Sequence, residues 1–105
     1  MYNKKAMKEL KKLLIKEYPE LIEKIILFGS RVEDKENEYS DYDILVILKR
    51  SYDWKIKKKI KYTSFDICLD FDILTDMNFI SKNEINSMKG ELPFIQDALS
   101  KGLVI

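Results

Sequence analysis

A chain of 105 residues, 46% hydrophobic and 35% charged, has the balance of a folded domain with material for one core. Its formal net charge of +1 makes no electrostatic case for nucleic acid or a membrane surface, and no apolar run approaches bilayer-spanning length. Histidine is absent and cysteine occurs once, at Cys68, which excludes imidazole chemistry, an internal disulfide and a cysteine zinc site. Any acid–base or metal chemistry must then use carboxylates, lysine or tyrosine, and a carboxylate-only site suits Mg²⁺ or Mn²⁺. The N-terminus shows no signal-like apolar core, so a cytoplasmic location is expected.

In chain order, residues 3–18 place Met7, Leu10, Leu14 and Tyr18 at helical spacing, and Pro19 ends that helix. Residues 24–28 predict a short strand closed by Gly29, and 31–40 a polar loop. Residues 41–48 predict a second strand, apolar on both faces after Asp43, which suits a central position. Residues 53–63 predict a helix whose lysine run (Lys55, Lys57, Lys58, Lys59, Lys61), with Trp54 and Tyr62 nearby, reads first as a solvated face, with contact to RNA or an acidic partner as the alternative. The alternation over 66–74 predicts a third strand, with Asp66, Cys68, Asp70 and Asp72 on one side. Helix is expected over 77–86 and again over 93–101, with Pro93 in its first turn and Gly102 as its stop; 103–105 suits a short edge strand. The fold class is α/β (α+β), a single domain over 1–105 with a small mixed sheet and helices packed on it.

The chemistry concentrates in Leu27-Phe28-Gly29-Ser30-Arg31 and, after the ten residues from Arg31 to Ser40, in Asp41-Tyr42-Asp43-Ile44-Leu45-Val46. Strand alternation projects Asp41 and Asp43 from one face, with Tyr42 opposite in the core. Two carboxylates that close resist joint ionisation, and a dication relieves the repulsion. Gly29 permits close backbone approach to a ligand, while Ser30 supplies a hydroxyl and an N–H where a phosphate oxygen can sit. Arg31 adds a nearby positive charge. The Gly29–Glu36 stretch lacks the second Gly-Lys-Ser/Thr of a P-loop, which argues against a Walker-type ATPase.

Gly-Ser, ten residues, then Asp-x-Asp resembles the signature of the polymerase-β-like nucleotidyltransferase superfamily, and the short chain resembles its minimal branch, the MNT domain. The segment Phe65-Asp66-Ile67-Cys68-Leu69-Asp70-Phe71-Asp72-Ile73-Leu74-Thr75 is similar to the family's third strand, which carries a third carboxylate. By that resemblance Asp70 matches the third acid best, with Asp72 the alternative third ligand. The resemblance implies two Mg²⁺ (or Mn²⁺) ions held by Asp41, Asp43 and Asp70, the triphosphate of ATP near Gly29, Ser30 and Arg31, and transfer of a nucleoside monophosphate to an acceptor.

Family members acting on tRNA ends or antibiotics usually carry a further acceptor-holding domain, for which this chain has no room. A stand-alone MNT domain resembles the antitoxin half of HEPN/MNT toxin–antitoxin pairs. That implies a HEPN ribonuclease toxin as partner, AMP transfer from ATP to a toxin tyrosine, and a hetero-oligomer with the toxin. Two alternatives stay open: a non-catalytic module that masks the toxin by contact, and a nucleotidyltransferase acting on RNA or a small molecule.

Overall fold

A computed structural model describes residues 2–33 and 41–105. Helix α1 (Lys4–Glu17) begins where the Asn3 side chain accepts the Ala6 N–H at 3.0 Å, a standard N-cap. Its Ala6, Met7, Leu10 and Leu14 are buried as one stripe. Strand β1 (Ile22–Phe28) follows, and Gly29 turns the chain into the one-turn helix α2 (Ser30–Glu33). The remainder of the predicted loop, 34–40, lies outside the described residues. Strand β2 (Tyr42–Leu48), helix α3 (Trp54–Phe71), strand β3 (Thr75–Ser81), two 3₁₀ turns, helix α4 (Pro93–Lys101) and strand β4 (Leu103–Val104) complete the order.

The sheet order is β3-β2-β1-β4. β1 pairs antiparallel with β2 and with β4, while β2 and β3 run parallel, so the sheet is mixed. Parallel neighbours need a crossover, and α3 supplies it. The central place of β2 explains why it is apolar on both faces after Asp43. On one face Ile25, Leu27, Tyr42, Ile44, Val46, Met77 and Phe79 pack with residues of α1 and α3. On the other, Ile26, Phe28, Leu45, Ile47 and Ile80 pack with Ile95 and Ala98 of α4. The α1–α3 layer is tied by Tyr18 Oη and Thr63 Oγ1, 2.7 Å apart.

Two expectations from the sequence are corrected. Of the predicted strand over 66–74, residues 66–71 are the last turns of α3 and 72–74 its exit, and the predicted helix over 77–86 begins inside β3. The buried residues of α3 are Ile60, Ser64 and Ile67, with Phe71 partly buried: a spacing of four, three and four. The period-two alternation of acids and apolar residues in the same stretch is accidental, because Leu69, its would-be core residue, is 79% exposed. The helix stops at Asp72, which takes a left-handed conformation (φ 51°) while its N–H bonds the Cys68 carbonyl.

Candidate active site

The site lies where the end of β1 meets the starts of β2 and β3. Because β2 and β3 are parallel, both begin at the same end of the sheet, with Tyr42 opposite Thr75 and Asp43 opposite Asp76. The Tyr42 N–H donates to the Leu74 carbonyl at 2.8 Å and anchors that register. Alternation sends Asp43 and Asp76 to the same face as Leu45, Ile47 and Ile80, the face covered by α4. Asp41, just outside the strand and exposed, is in phase with Asp43.

Gly29 completes the constellation. Phe28 is the antiparallel partner of Asp43, so the residue after Phe28 falls beside the Asp43 side chain. A Cβ at Gly29 would collide with the Asp43 carboxylate oxygen Oδ2 and lie 3.1 Å from Cγ. Gly29 also has φ +76°, so both space and backbone conformation call for glycine. Its carbonyl accepts the N–H groups of Val32 and Glu33, each at 3.1 Å, which fixes the turn and makes Ser30 the first residue of α2. The Gly-Ser turn and the Asp-x-Asp pair thus meet, although the ten residues between them separate the two in sequence.

The electrostatics follow. Burial, then the negative charge of Asp76, then that of Asp41, raise the Asp43 carboxyl above its ordinary value of 3.8. Among the described residues, the carboxylates bearing on Asp43 are therefore Asp76 and Asp41. Asp70 is an exposed residue of α3, not of a strand, and Asp72 is the left-handed cap of that helix. The expectation that either one shares a strand face with the Asp41/Asp43 pair is overturned; the aspartate on the neighbouring strand is Asp76. A signal for it was present: Thr75-Asp76-Met77-Asn78-Phe79 alternates polar and apolar, and Met77 and Phe79 are buried. Helical expectation over 77–86 obscured it.

Arg31 is placed with its guanidinium 4.4 Å from the centre of the Tyr42 ring, on the side of β2 opposite Asp43. Tyr42 is 3% exposed, as its predicted core position requires, and its hydroxyl accepts the Asn3 N–H at 2.8 Å. Cys68, half-buried, lies 3.7 Å from the Thr75 hydroxyl.

Among the described residues, no three acidic or thiol side chains stand together as a ready metal cage. The donor chemistry nonetheless fits a hard divalent cation. The converging groups are carboxylates, they repel one another as Asp43 shows, and a dication removes that repulsion.

The fold is a mixed sheet whose parallel pair carries facing aspartates beside a Gly-Ser turn. The chain belongs to the nucleotidyltransferase domain family, whose model matches residues 7–96. Among curated proteins none matches it. Solved structures share the fold. A mutant of the toxin–antitoxin MntA-HpeT aligns with TM-score 0.62 at 20% identity, covering 100% of this chain and 72% of that one. A toxin–antitoxin structure with AMP-PNP aligns at 0.61 and 19%, covering 98% and 72%. A tri-AMPylated Shewanella oneidensis HEPN toxin in complex with MNT antitoxin aligns at 0.55 and 20%, covering 94% and 67%. Among the described residues, no helix is long and apolar enough to cross a membrane.

Proposed function

We propose that this chain is an antitoxin-type nucleotidyltransferase that moves AMP from ATP to a tyrosine of a HEPN-type toxin and so silences it. The observation that carries the reading is the meeting of Gly29 with the Asp43 carboxylate while Asp76 stands opposite Asp43 across the parallel ladder. The structural likeness to toxin–antitoxin complexes, one with AMP-PNP and one with an AMPylated toxin, supports the substrate and the partner.

In this reading Asp41, Asp43 and Asp76 hold two divalent cations, and Asp76 takes the place first given to Asp70. When bound, Mg²⁺ supplies positive charge to the triphosphate and to the acceptor oxygen. The Gly29 turn leaves room for the β- and γ-phosphates, with Ser30 offering its hydroxyl and N–H. The acceptor hydroxyl attacks the α-phosphorus, an O–P bond forms, and the bond to the β-phosphate oxygen breaks to release pyrophosphate. Asp76 accepts the hydroxyl proton. Positioning and charge stabilisation do most of the work, which is why a domain without histidine is sufficient. Arg31, turned over Tyr42, supports the turn from behind.

The test is mass spectrometry of the partner toxin after incubation with this chain, ATP and Mg²⁺. An added AMP on a tyrosine is expected; Asp41→Asn, Asp43→Asn and Asp76→Asn should each lose it by at least about a thousandfold, while Asp70→Asn keeps it. Neutralisation without any AMP transfer would sink the catalytic reading and leave a module acting by contact.

A further inference from the structure

The longest helix is poorly covered. α3 has 18 residues and spans about 27 Å. On its outer side Tyr62, Phe65 and Leu69 are 61%, 53% and 79% exposed, and Trp54 at the helix start is 65% exposed. Lys58, Tyr62, Phe65 and Leu69 follow one another at spacings of four, three and four, so they form a single stripe. Tyr62 and Phe65 already touch edge-to-face, with centroids 5.7 Å apart. A stripe of this kind is what one helix presents to another.

The charges beside the stripe say which helix. Lys55, Lys59, Asp66 and Asp70 form a second row along one flank, at spacings of four, seven and four, and all are exposed. The row is basic in the first half of α3 and acidic in the second. Among the described residues none of the four enters an ion pair. Turned end for end about a two-fold axis between Thr63 and Ser64, a second α3 sets its acidic half beside this basic half, flank to matching flank. Tyr62 then meets the second copy's Phe65, and the Lys58 stem lies on the second copy's Leu69. Lys55 and Lys59 come opposite the second copy's Asp70 and Asp66. A parallel pairing would carry the row of each copy to opposite sides of the interface, where the basic and acidic halves never meet.

We propose that the outer face of α3 is a self-association surface on which a second copy of this chain docks antiparallel. Two faces of this size bury on the order of 1,000 Å², the lower end of specific interfaces, which suits a reversible, concentration-dependent dimer. The proposal does not depend on the transfer reaction, because the carboxylate site lies at the strand ends and none of its residues belongs to α3.

Sedimentation equilibrium on the full chain, from about 5 to 500 µM, should show a reversible monomer–dimer equilibrium. Phe65→Glu should weaken it at least about tenfold with an unchanged circular dichroism spectrum. Lys55→Glu/Lys59→Glu and Asp66→Lys/Asp70→Lys should each be monomeric alone and should form a heterodimer when mixed. A chain that remains monomeric at the highest concentration overturns the proposal. So does a dimer indifferent to Phe65→Glu, or a mixture in which the two charge-reversed chains ignore each other.

Discussion

Asp43 is half-buried, faces Asp76 across the β2–β3 ladder and has the Gly29 turn against its carboxylate. Its raised pKa means that the folded chain holds the Asp43 proton more tightly than the unfolded chain does. Ionising it therefore costs stability. The cost is absent well below pH 3.8, grows as the pH climbs through the raised value, and is constant at neutral pH. Asp43→Asn should raise the metal-free melting temperature at pH 7 by roughly 2–5 °C, the response of a domain this size to about 1 kcal/mol or less. The same variant should gain nothing at pH 3; melts followed by circular dichroism at the two pH values decide this. Gly29 behaves in the opposite way. Gly29→Ala meets both an unfavourable left-handed backbone and the Asp43 carboxylate, and should lose about 2–3 kcal/mol in urea unfolding.

At the scale of elements, α3 shows how local chemistry ends a helix. Asp72 occupies the left-handed cap, and both its own N–H and that of Ile73 bond the Cys68 carbonyl. Aspartate tolerates that conformation less well than glycine. Asp72→Gly should therefore stabilise the chain by up to about 1 kcal/mol, and should leave nucleotide transfer intact if Asp76 is the third acid. Loss of transfer in that variant would return Asp72 to the site. At the far end of β3, Glu84 accepts the Ser81 N–H at 3.0 Å and lies 3.6 Å from Lys89 Nζ. Burial alone pushes the Glu84 carboxyl up. The Ser81 N–H, Tyr52 and Lys89 together outweigh burial and hold the carboxyl below its ordinary value of 4.5. A lowered acid contributes stability above the unfolded value and loses it as the pH falls through the folded one. Glu84→Ala should cost about 1 kcal/mol at pH 7, and the gap to the parent chain should close in acid, well below pH 4.5.

For the whole molecule, the decisive feature is that a parallel pair and an antiparallel pair share β2. The parallel pair brings the starts of β2 and β3 together; the antiparallel pair brings the end of β1 to the same place. Three segments far apart in sequence thus deliver Gly29, Asp43 and Asp76 to one end of the sheet. A ligand that binds only this assembled end must stabilise the entire fold by linkage. Mg²⁺ with ATP, at about a hundred times its dissociation constant, should add roughly 2.7 kcal/mol. Chelation should abolish the gain, and so should Asp76→Asn. A thermal-shift titration that is identical for Asp76→Asn and the parent chain would remove Asp76 from the site.

The sequence by itself determined whatever depends on near neighbours. The apolar spacing of α1, the Gly29 turn, the two-sided burial of β2, the start and stop of α4 and the short last strand all follow from residues a few positions apart. Its Gly-Ser and Asp-x-Asp elements were legible for the same reason. Which aspartate stands opposite Asp43 was not. The acidic stretch over 66–72 satisfies a two-residue and a near-four-residue period at once, and only packing against the sheet selects the helix, by burying Ile60, Ser64 and Ile67 and leaving Leu69 in water. Once α3 runs on to Phe71, the next strand must start later, and its register against β2 puts Asp76 opposite Asp43. Strand register is a long-range choice made by the core as a whole, so no local pattern contains it.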